Sequence, residues 1–218
     1  MGRLFDNDSP FMQKLQYASS VFFCGIFFLL TCLPVITAGA GATAMYRMMF
    51  NLREDKGTKA ADFFRVFAEE FKKSTVLWAL DIAGALLILV LLYGIGLLNP
   101  EGAGLAVCMA VFLVAVLLWA FTFCYVFPLE ARFENTIGNI VKNGLIMSIR
   151  HRKQTIPALF LAMIPLFIYI LSPYVFILLG PVWVFVLIPA IFYWQSGLFL
   201  KVFENYMPAE DAETADNE

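Results

Sequence analysis

Residues 154–200 read QTIPALFLAMIPLFIYILSPYVFILLGPVWVFVLIPAIFYWQSGLFL, a run of 47 residues without a charged side chain. A helix needs about 20 apolar residues to cross the hydrocarbon core of a bilayer, so this run is long enough for two crossings. Ser172 and Pro173 interrupt the run near its middle, where a turn is predicted. Because no water is present in the core to satisfy peptide groups, both crossings are predicted to be α-helices.

Three further apolar runs extend this pattern along the chain. Residues 15–46 and 104–129 are uncharged, and residues 75–98 contain Asp81 as their one charge. The whole chain is 61% apolar and 15% charged, whereas a soluble domain is about 25% charged. The basic residues adjoin the apolar runs and do not form a nucleic-acid-binding pattern. The sequence therefore predicts an all-α, polytopic transmembrane helical bundle.

The number of membrane segments depends on residues 15–46. This run is too long for one straight crossing and breaks after Pro34, so that residues 17–33 cross and residues 38–52 can cross, re-enter or lie on the membrane. Basic residues concentrate in the connections 53–73 and 132–153, which predicts that both connections are cytoplasmic. A crossing at 38–52 places Arg3 and Lys14 on that side as well. We predict about six segments as three hairpins, with both termini cytoplasmic.

Both cytoplasmic connections are predicted to be amphipathic helices. In the first, residues 59–73, four Phe side chains share one face. In the second, Asn side chains recur every fourth residue and basic residues extend the stripe at both ends. The stripe is either a solvated helix face or a surface that contacts a partner. The residues of this candidate cytoplasmic interaction face are Glu130, Arg132, Glu134, Asn135, Asn139, Asn143 and Arg150.

Two charged residues fall within predicted membrane segments. Asp81 lies about 9 Å along its segment from Thr75, and Arg47 lies about 6 Å inside the end of the segment 38–52. Charges in a membrane are costly and tend to find partners, so an intramembrane Arg47–Asp81 pair is a hypothesis. The alternative is that each side chain extends separately to the membrane surface.

Motifs for enzymatic chemistry are missing from the sequence. It contains no HExxH, no GxSxG and no GxxxxGK[ST] motif. The single His has no ligand partners, and the four Cys lie in apolar runs without CxxC spacing. We therefore predict no enzymatic activity, no cofactor and no metal site.

Two stretches of the sequence resemble a known family. Residues 33–46 (LPVITAGAGATAMY) and 125–136 (YVFPLEARFENT) resemble two signatures of the YesL family of bacterial integral membrane proteins. Residues 142–143 and 148–150 continue the second signature, and the connection 63–73 is similar too. The resemblance covers roughly residues 1–205 as one transmembrane domain, and residues 206–218 form an acidic tail that is predicted to be disordered and cytoplasmic.

The resemblance implies a genomic context but no catalytic residues, because the family is defined by a domain of unknown function. Its members often lie in bacterial gene clusters for carbohydrate uptake, near ABC-type sugar permeases. This implies an accessory or assembly component of oligosaccharide uptake in the bacterial cytoplasmic membrane, with the lipid bilayer and permease subunits as partners. The alternative is a small stand-alone or oligomeric transporter, with Arg47, Asp81 and the Asn stripe along its route.

Overall fold

The computed structural model of this protein describes residues 10–56 and 59–207, together with their side chains except at residues 10–16, 181 and 183. The described residues are all-α and contain no strand. Residues 208–218, most of the predicted acidic tail, and Arg3 lie outside the described residues. The prediction of an all-α bundle is confirmed.

Nine α-helices follow one another along the described chain. They are α1 (Pro10–Cys32), α2 (Ala38–Arg53), α3 (Ala60–Leu98), α4 (Gly102–Arg132), α5 (Ile137–Arg150), α6 (Arg152–Leu171), α7 (Pro173–Leu178), α8 (Gly180–Val182) and α9 (Ile188–Phe203). A 3₁₀ turn (Val35–Thr37) joins α1 to α2, a π-helical turn (Trp183–Leu187) joins α8 to α9, and a 3₁₀ turn (Glu204–Tyr206) follows α9.

Four helical segments of the described chain are long and apolar enough to cross a membrane: Ala60–Leu98, Gly102–Arg132, Arg152–Leu171 and Val184–Tyr206. A shorter apolar segment, Tyr17–Cys32, precedes them. The long run 154–200 divides where the sequence predicted, because Ser172 is extended and its hydroxyl accepts a hydrogen bond from the Val175 amide. The protein is therefore embedded in a membrane and crosses it several times.

The first predicted connection helix is not a separate element. Residues 60–73 are the beginning of α3, which continues for 39 residues, or about 58 Å. The physical reason is that residues 60–83 contain no Gly or Pro, so nothing interrupts the helix before the apolar run. Phe63 is fully buried, whereas Phe64 is 44% exposed. The four Phe side chains thus do not form one buried face.

The second predicted connection helix is present as α5. Thr136 precedes it, and its hydroxyl accepts a hydrogen bond from the Asn139 amide at 3.4 Å, which satisfies an amide of the first turn. Asn135 lies before the first helical residue. The predicted Asn stripe therefore has only Asn139 and Asn143 on the helix.

The interior of the protein is centred on α2. Met45, Met48, Met49 and Phe50 have no exposed surface, and the helix packs against α1, α3, α4 and α9. We call the densely packed part of the protein the packed base: α2, α5 and the parts 63–78 of α3, 122–131 of α4, 155–158 of α6 and 191–203 of α9. Beyond it the helices project apolar side chains outwards.

The projecting parts of α3, α4 and α6 carry large apolar side chains that the protein does not cover. Leu97 is 69% exposed and Phe160 is 73% exposed. Patches of this extent are rare on soluble monomers, whereas lipid chains cover them readily. The outer surface of the projecting helices is therefore suited to hydrocarbon.

Gly39 allows α2 and α3 to approach each other closely. A Cβ atom at this position would lie 2.6 Å from Cβ of Trp78 and 2.7 Å from the backbone oxygen of Ser74. Neither neighbour is the flexible end of a side chain. Any larger residue at position 39 would therefore force the two helices apart.

We expect Gly39→Ala to lower the free energy of unfolding by about 1–3 kcal/mol, because the added methyl group overpacks the contact between α2 and α3. Gly94→Ala is the matched control, since no atom lies within 4 Å of a Cβ at that position of α3. The control should be neutral or stabilise by up to about 1 kcal/mol through helix propensity. Thermal unfolding in mild detergent measures both, and equal effects would contradict this account.

Candidate functional site

A line of polar contacts joins α2 to α3 inside the packed base. The two helices are antiparallel, so Thr43 lies opposite Ser74 and, one turn further along, Arg47 lies opposite Glu70. The Ser74 hydroxyl donates to Thr43 Oγ1 at 2.9 Å, and Arg47 Nη2 lies 3.5 Å from Glu70 Oε1. We call these four residues, together with Glu130 of α4, the polar seam.

Glu130 occupies the inner end of the polar seam. Thr43 Oγ1 donates to its Oε2 at 3.3 Å, while its Oε1 has no hydrogen-bond partner among the described residues. Glu130 is 1% exposed, and Thr43 and Ser74 are fully buried. The sequence analysis places Glu130 on the candidate cytoplasmic interaction face, whereas its side chain is buried in the structure. The last turns of α4 pack against α2 and α3, which encloses the carboxyl group.

The predicted Arg47–Asp81 ion pair is not formed among the described residues. The register of α2 on α3 pairs Arg47 with Glu70, and Asp81 lies eleven residues further along α3, about 16 Å away. Asp81 is instead half-buried beside Trp119, whose indole nitrogen donates to the Asp81 backbone oxygen at 3.2 Å. Its Oδ1 has no hydrogen-bond partner in the described part of the chain. The limits of apolar runs do not determine the register between two helices, so the contact of Arg47 with Glu70 could not be predicted from them.

Arg132 connects the end of α4 to the segment that follows α2. Its Nη2 lies 2.6 Å from Glu54 Oε1, and its Nη1 donates to Glu54 Oε2 at 3.0 Å. This two-point contact is the strong form of an arginine–carboxylate pair. Arg132 is thus held within the protein, so it is not available as part of an open interaction face.

The pKa of Glu54 reflects these contacts. Burial raises the pKa of this carboxyl group, but hydrogen bonds from Arg132 and Lys56 and their positive charges outweigh burial. The net result is a pKa below the ordinary value of 4.5. The ionised form is therefore the one that stabilises the fold.

The remaining predicted face residues lie on or beside the outer side of α5. Asn139 Nδ2 donates to Asn135 Oδ1 at 3.2 Å across the first turn of the helix. Glu134, Asn139 and Arg150 are exposed, and Asn135 and Asn143 are half-buried. Lys142, Ile146 and Ile149 are also exposed and share this side of α5, although the sequence reading did not single them out. We call Asn139, Lys142, Ile146, Ile149 and Arg150 the α5 face.

A second buried network ties α2 to α6 and α9. The Tyr46 hydroxyl donates to Gln195 Oε1 at 2.7 Å, and Gln195 Nε2 donates to the Ala158 backbone oxygen at 2.9 Å. Arg53 Nε donates to Ser196 Oγ at 2.9 Å, and its guanidinium lies 4.0 Å from the Tyr193 ring centre. Sequence reasoning missed these pairs because the partners are far apart in the chain: 149 residues separate Tyr46 from Gln195, 143 separate Arg53 from Ser196, and 37 separate Gln195 from Ala158. The available signal was that Gln195 and Ser196 are polar residues within an apolar run.

A groove along α6 is lined by apolar side chains, unlike the polar networks of the packed base. This groove of about 550 Å³ presents only apolar side chains of α6. Within the described ranges, no three His, Cys, Asp or Glu side chains are grouped so that they could hold a metal ion. The polar chemistry of the described structure is therefore concentrated in the packed base.

One segment of the chain, about a third of its length, matches a known family model. Residues 21–93 match the family described as "Protein of unknown function, DUF624". This is the family typically called YesL, so the resemblance is confirmed over that range. The matched residues include Thr43, Arg47, Glu70 and Ser74 but not Glu130. No curated protein and no solved structure gives a significant match.

Exchanging charges distinguishes the two possible partners of Arg47. We expect R47E and E70R each to destabilise the protein and the double variant R47E/E70R to recover about 0.5–1 kcal/mol, because the pair re-forms in reverse. The matched pair R47D and D81R should show additive losses, since these residues lie apart. Thermal unfolding of all six proteins provides the measurement. Recovery in R47D/D81R alone would refute the register described above.

Acid should weaken the contact between Glu54 and Arg132. Because folding lowers the pKa of Glu54, its stabilisation is fully present above pH 4.5 and is lost as pH falls through the folded-state pKa. We expect E54Q to be less stable than the unsubstituted protein by about 1–2 kcal/mol at pH 7, with the difference shrinking below pH 4.5. Melting temperatures from pH 3 to 7 test this, with E134Q as an exposed control. A constant difference across that range would be inconsistent with it.

Proposed function

We propose that this protein is an accessory or assembly component of carbohydrate uptake, acting on permease subunits of the ABC type in the bacterial cytoplasmic membrane. The family resemblance supplies the context, and the match over residues 21–93 supports that resemblance. In this proposal the chain crosses the membrane about six times, with both termini and the connections 53–73 and 132–153 on the cytoplasmic side.

The distribution of basic residues supports this orientation. α3 and α4 are joined by the short turn 99–101, which contains no Lys or Arg, and Asn99 there adopts the left-handed conformation of a tight turn. At their other ends, the apolar runs 75–98 and 104–129 within these helices adjoin basic residues: Lys72 and Lys73 before the first run, and Arg132 after the second. Basic residues favour the cytoplasmic side of a membrane.

The observation that carries the accessory role is the composition of the α5 face. The α5 face combines exposed apolar Ile146 and Ile149 with polar and basic neighbours. An apolar centre with a polar rim is the usual composition of a protein interface.

A stand-alone or oligomeric transporter is the second candidate. Buried carboxylates such as Glu130 are typical of ion-coupled transport, which favours this alternative. Against it, Ser74 donates a hydrogen bond to Thr43, and Thr43 donates one to Glu130, within the helix interface. The side chains of the polar seam therefore hold α2, α3 and α4 together, whereas a transport route along the seam would require these helices to separate.

Affinity purification from native membranes in mild detergent, followed by mass spectrometry, tests the accessory role. We expect a permease subunit in near-stoichiometric amount, because the α5 face would contact it directly. I149D and R150E should each reduce that recovery at least tenfold. Recovery of the chain alone would refute the proposal, and transport by the chain in liposomes would then become the leading function.

The control for these variants is K72E, which reverses an exposed charge on α3 away from the α5 face. It should leave partner recovery unchanged. Each variant must elute at the same position as the unsubstituted protein in size exclusion, so that a loss of recovery reports contact and not misfolding. Equal losses in K72E and R150E would show that the α5 face is not the contact surface.

A further inference from the structure

Glu130 presents an electrostatic problem that the described residues leave unsolved. Its carboxyl group is 1% exposed, Oε2 has one long hydrogen bond from Thr43 Oγ1 at 3.3 Å, and Oε1 has none. An ionised carboxylate in such a position has lost its hydration and gained little in return. A buried charge of this kind is normally neutralised by a bound cation, a basic side chain or a proton.

Basic side chains do not provide the missing charge by direct contact. Among the described residues, no Lys or Arg nitrogen lies within 4 Å of Glu130, and Arg47 is engaged by Glu70. Lys73 and Glu70 of α3 act on Glu130 only from a greater distance, and their charges oppose each other. Arg132, on α4 itself, is held by Glu54.

The oxygen atoms around Glu130 form a ligand set of their own. Two carboxylate oxygens and the hydroxyls of Thr43 and Ser74 come together from α4, α2 and α3, each hydroxyl within 3.3 Å of the next oxygen. Such oxygens are hard ligands of the kind that alkali cations take in membrane transporters. A hydroxyl can donate a hydrogen bond to an ionised carboxylate or direct a lone pair towards a bound cation. These oxygens therefore suit the cluster both without and with a cation.

We propose that this cluster takes up one small cation from solution, a proton or a sodium ion, at Glu130. Both ions neutralise the same carboxylate and compete for it. The cation would enter past the Arg47–Glu70 pair, one helical turn towards the surface, where the two side chains are 33% and 20% exposed. Arg47 Nε is buried there without a hydrogen-bond partner in the described structure. This inference does not depend on the accessory role.

Two measurements on the purified protein separate the ions. Thermal unfolding at pH 8 is compared in sodium chloride and in choline chloride of equal ionic strength. If sodium binds, Tm should rise by about 3 °C at a concentration tenfold above the dissociation constant. Infrared spectroscopy without sodium detects the carbonyl band of a protonated carboxyl group. A proton at Glu130 predicts such a band and no effect of sodium on Tm.

Substitutions test whether the sodium effect on Tm, or the infrared band, arises from Glu130. E130Q keeps the shape of the side chain and removes its charge, so it should abolish the sodium effect or the infrared band. E134Q changes an exposed carboxyl group four residues further along the chain, beyond the end of α4, and should retain it. If E130Q does not fold, Thr43→Val removes the hydroxyl that touches Glu130 and should raise the half-effective sodium concentration at least threefold or shift the band.

The unsubstituted protein alone can overturn the proposal. A Tm that does not respond to sodium, together with no protonated carboxyl band, would mean that Glu130 is a bare carboxylate balanced at a distance by Lys73. A signal that persists unchanged in E130Q, or in Thr43→Val where E130Q does not fold, would place the cation at another site and would equally refute it.

Discussion

At Gly39 the backbone of α2 lies so close to α3 that a Cβ atom there would be 2.6 Å from Cβ of Trp78. This approach sets the register between the two helices, which pairs Thr43 with Ser74 and Arg47 with Glu70. Once the register is set, the end of α4 can place Glu130 against Thr43. The polar seam is thus a consequence of one close helix contact.

The structure divides into a packed base, which holds most of the buried polar side chains, and projecting helices, which carry mainly apolar side chains. Within the base, Gln195 accepts a hydrogen bond from the Tyr46 hydroxyl and donates one to the Ala158 carbonyl. Buried polar groups are normally hydrogen-bonded in this way. The projecting helices keep their backbone groups bonded internally and expose apolar side chains such as Leu97. Each part is stable in the surroundings that its side chains require.

The charged residues of the base differ in the charge balance around them. Glu54 has two basic partners, so its charge is satisfied and joins α4 to the end of α2. Glu130 is more deeply buried than Glu54, and its one hydrogen bond comes from a hydroxyl, that of Thr43. The same residue type therefore serves as a structural bond in one place and as a candidate binding group in the other, because burial without a counter-charge favours uptake of a cation.

The sequence by itself determined the all-α class, the membrane setting and the break at Ser172, because run length and hydropathy are properties of contiguous residues. It also indicated α5 but not its first residue, since Asn135 precedes the Thr136 cap. Only the tertiary structure decided that Arg47 pairs with Glu70, that Glu130 is enclosed and that Arg53 reaches Ser196. These outcomes depend on helix register and on contacts between distant residues, which hydrophobic periodicity does not encode.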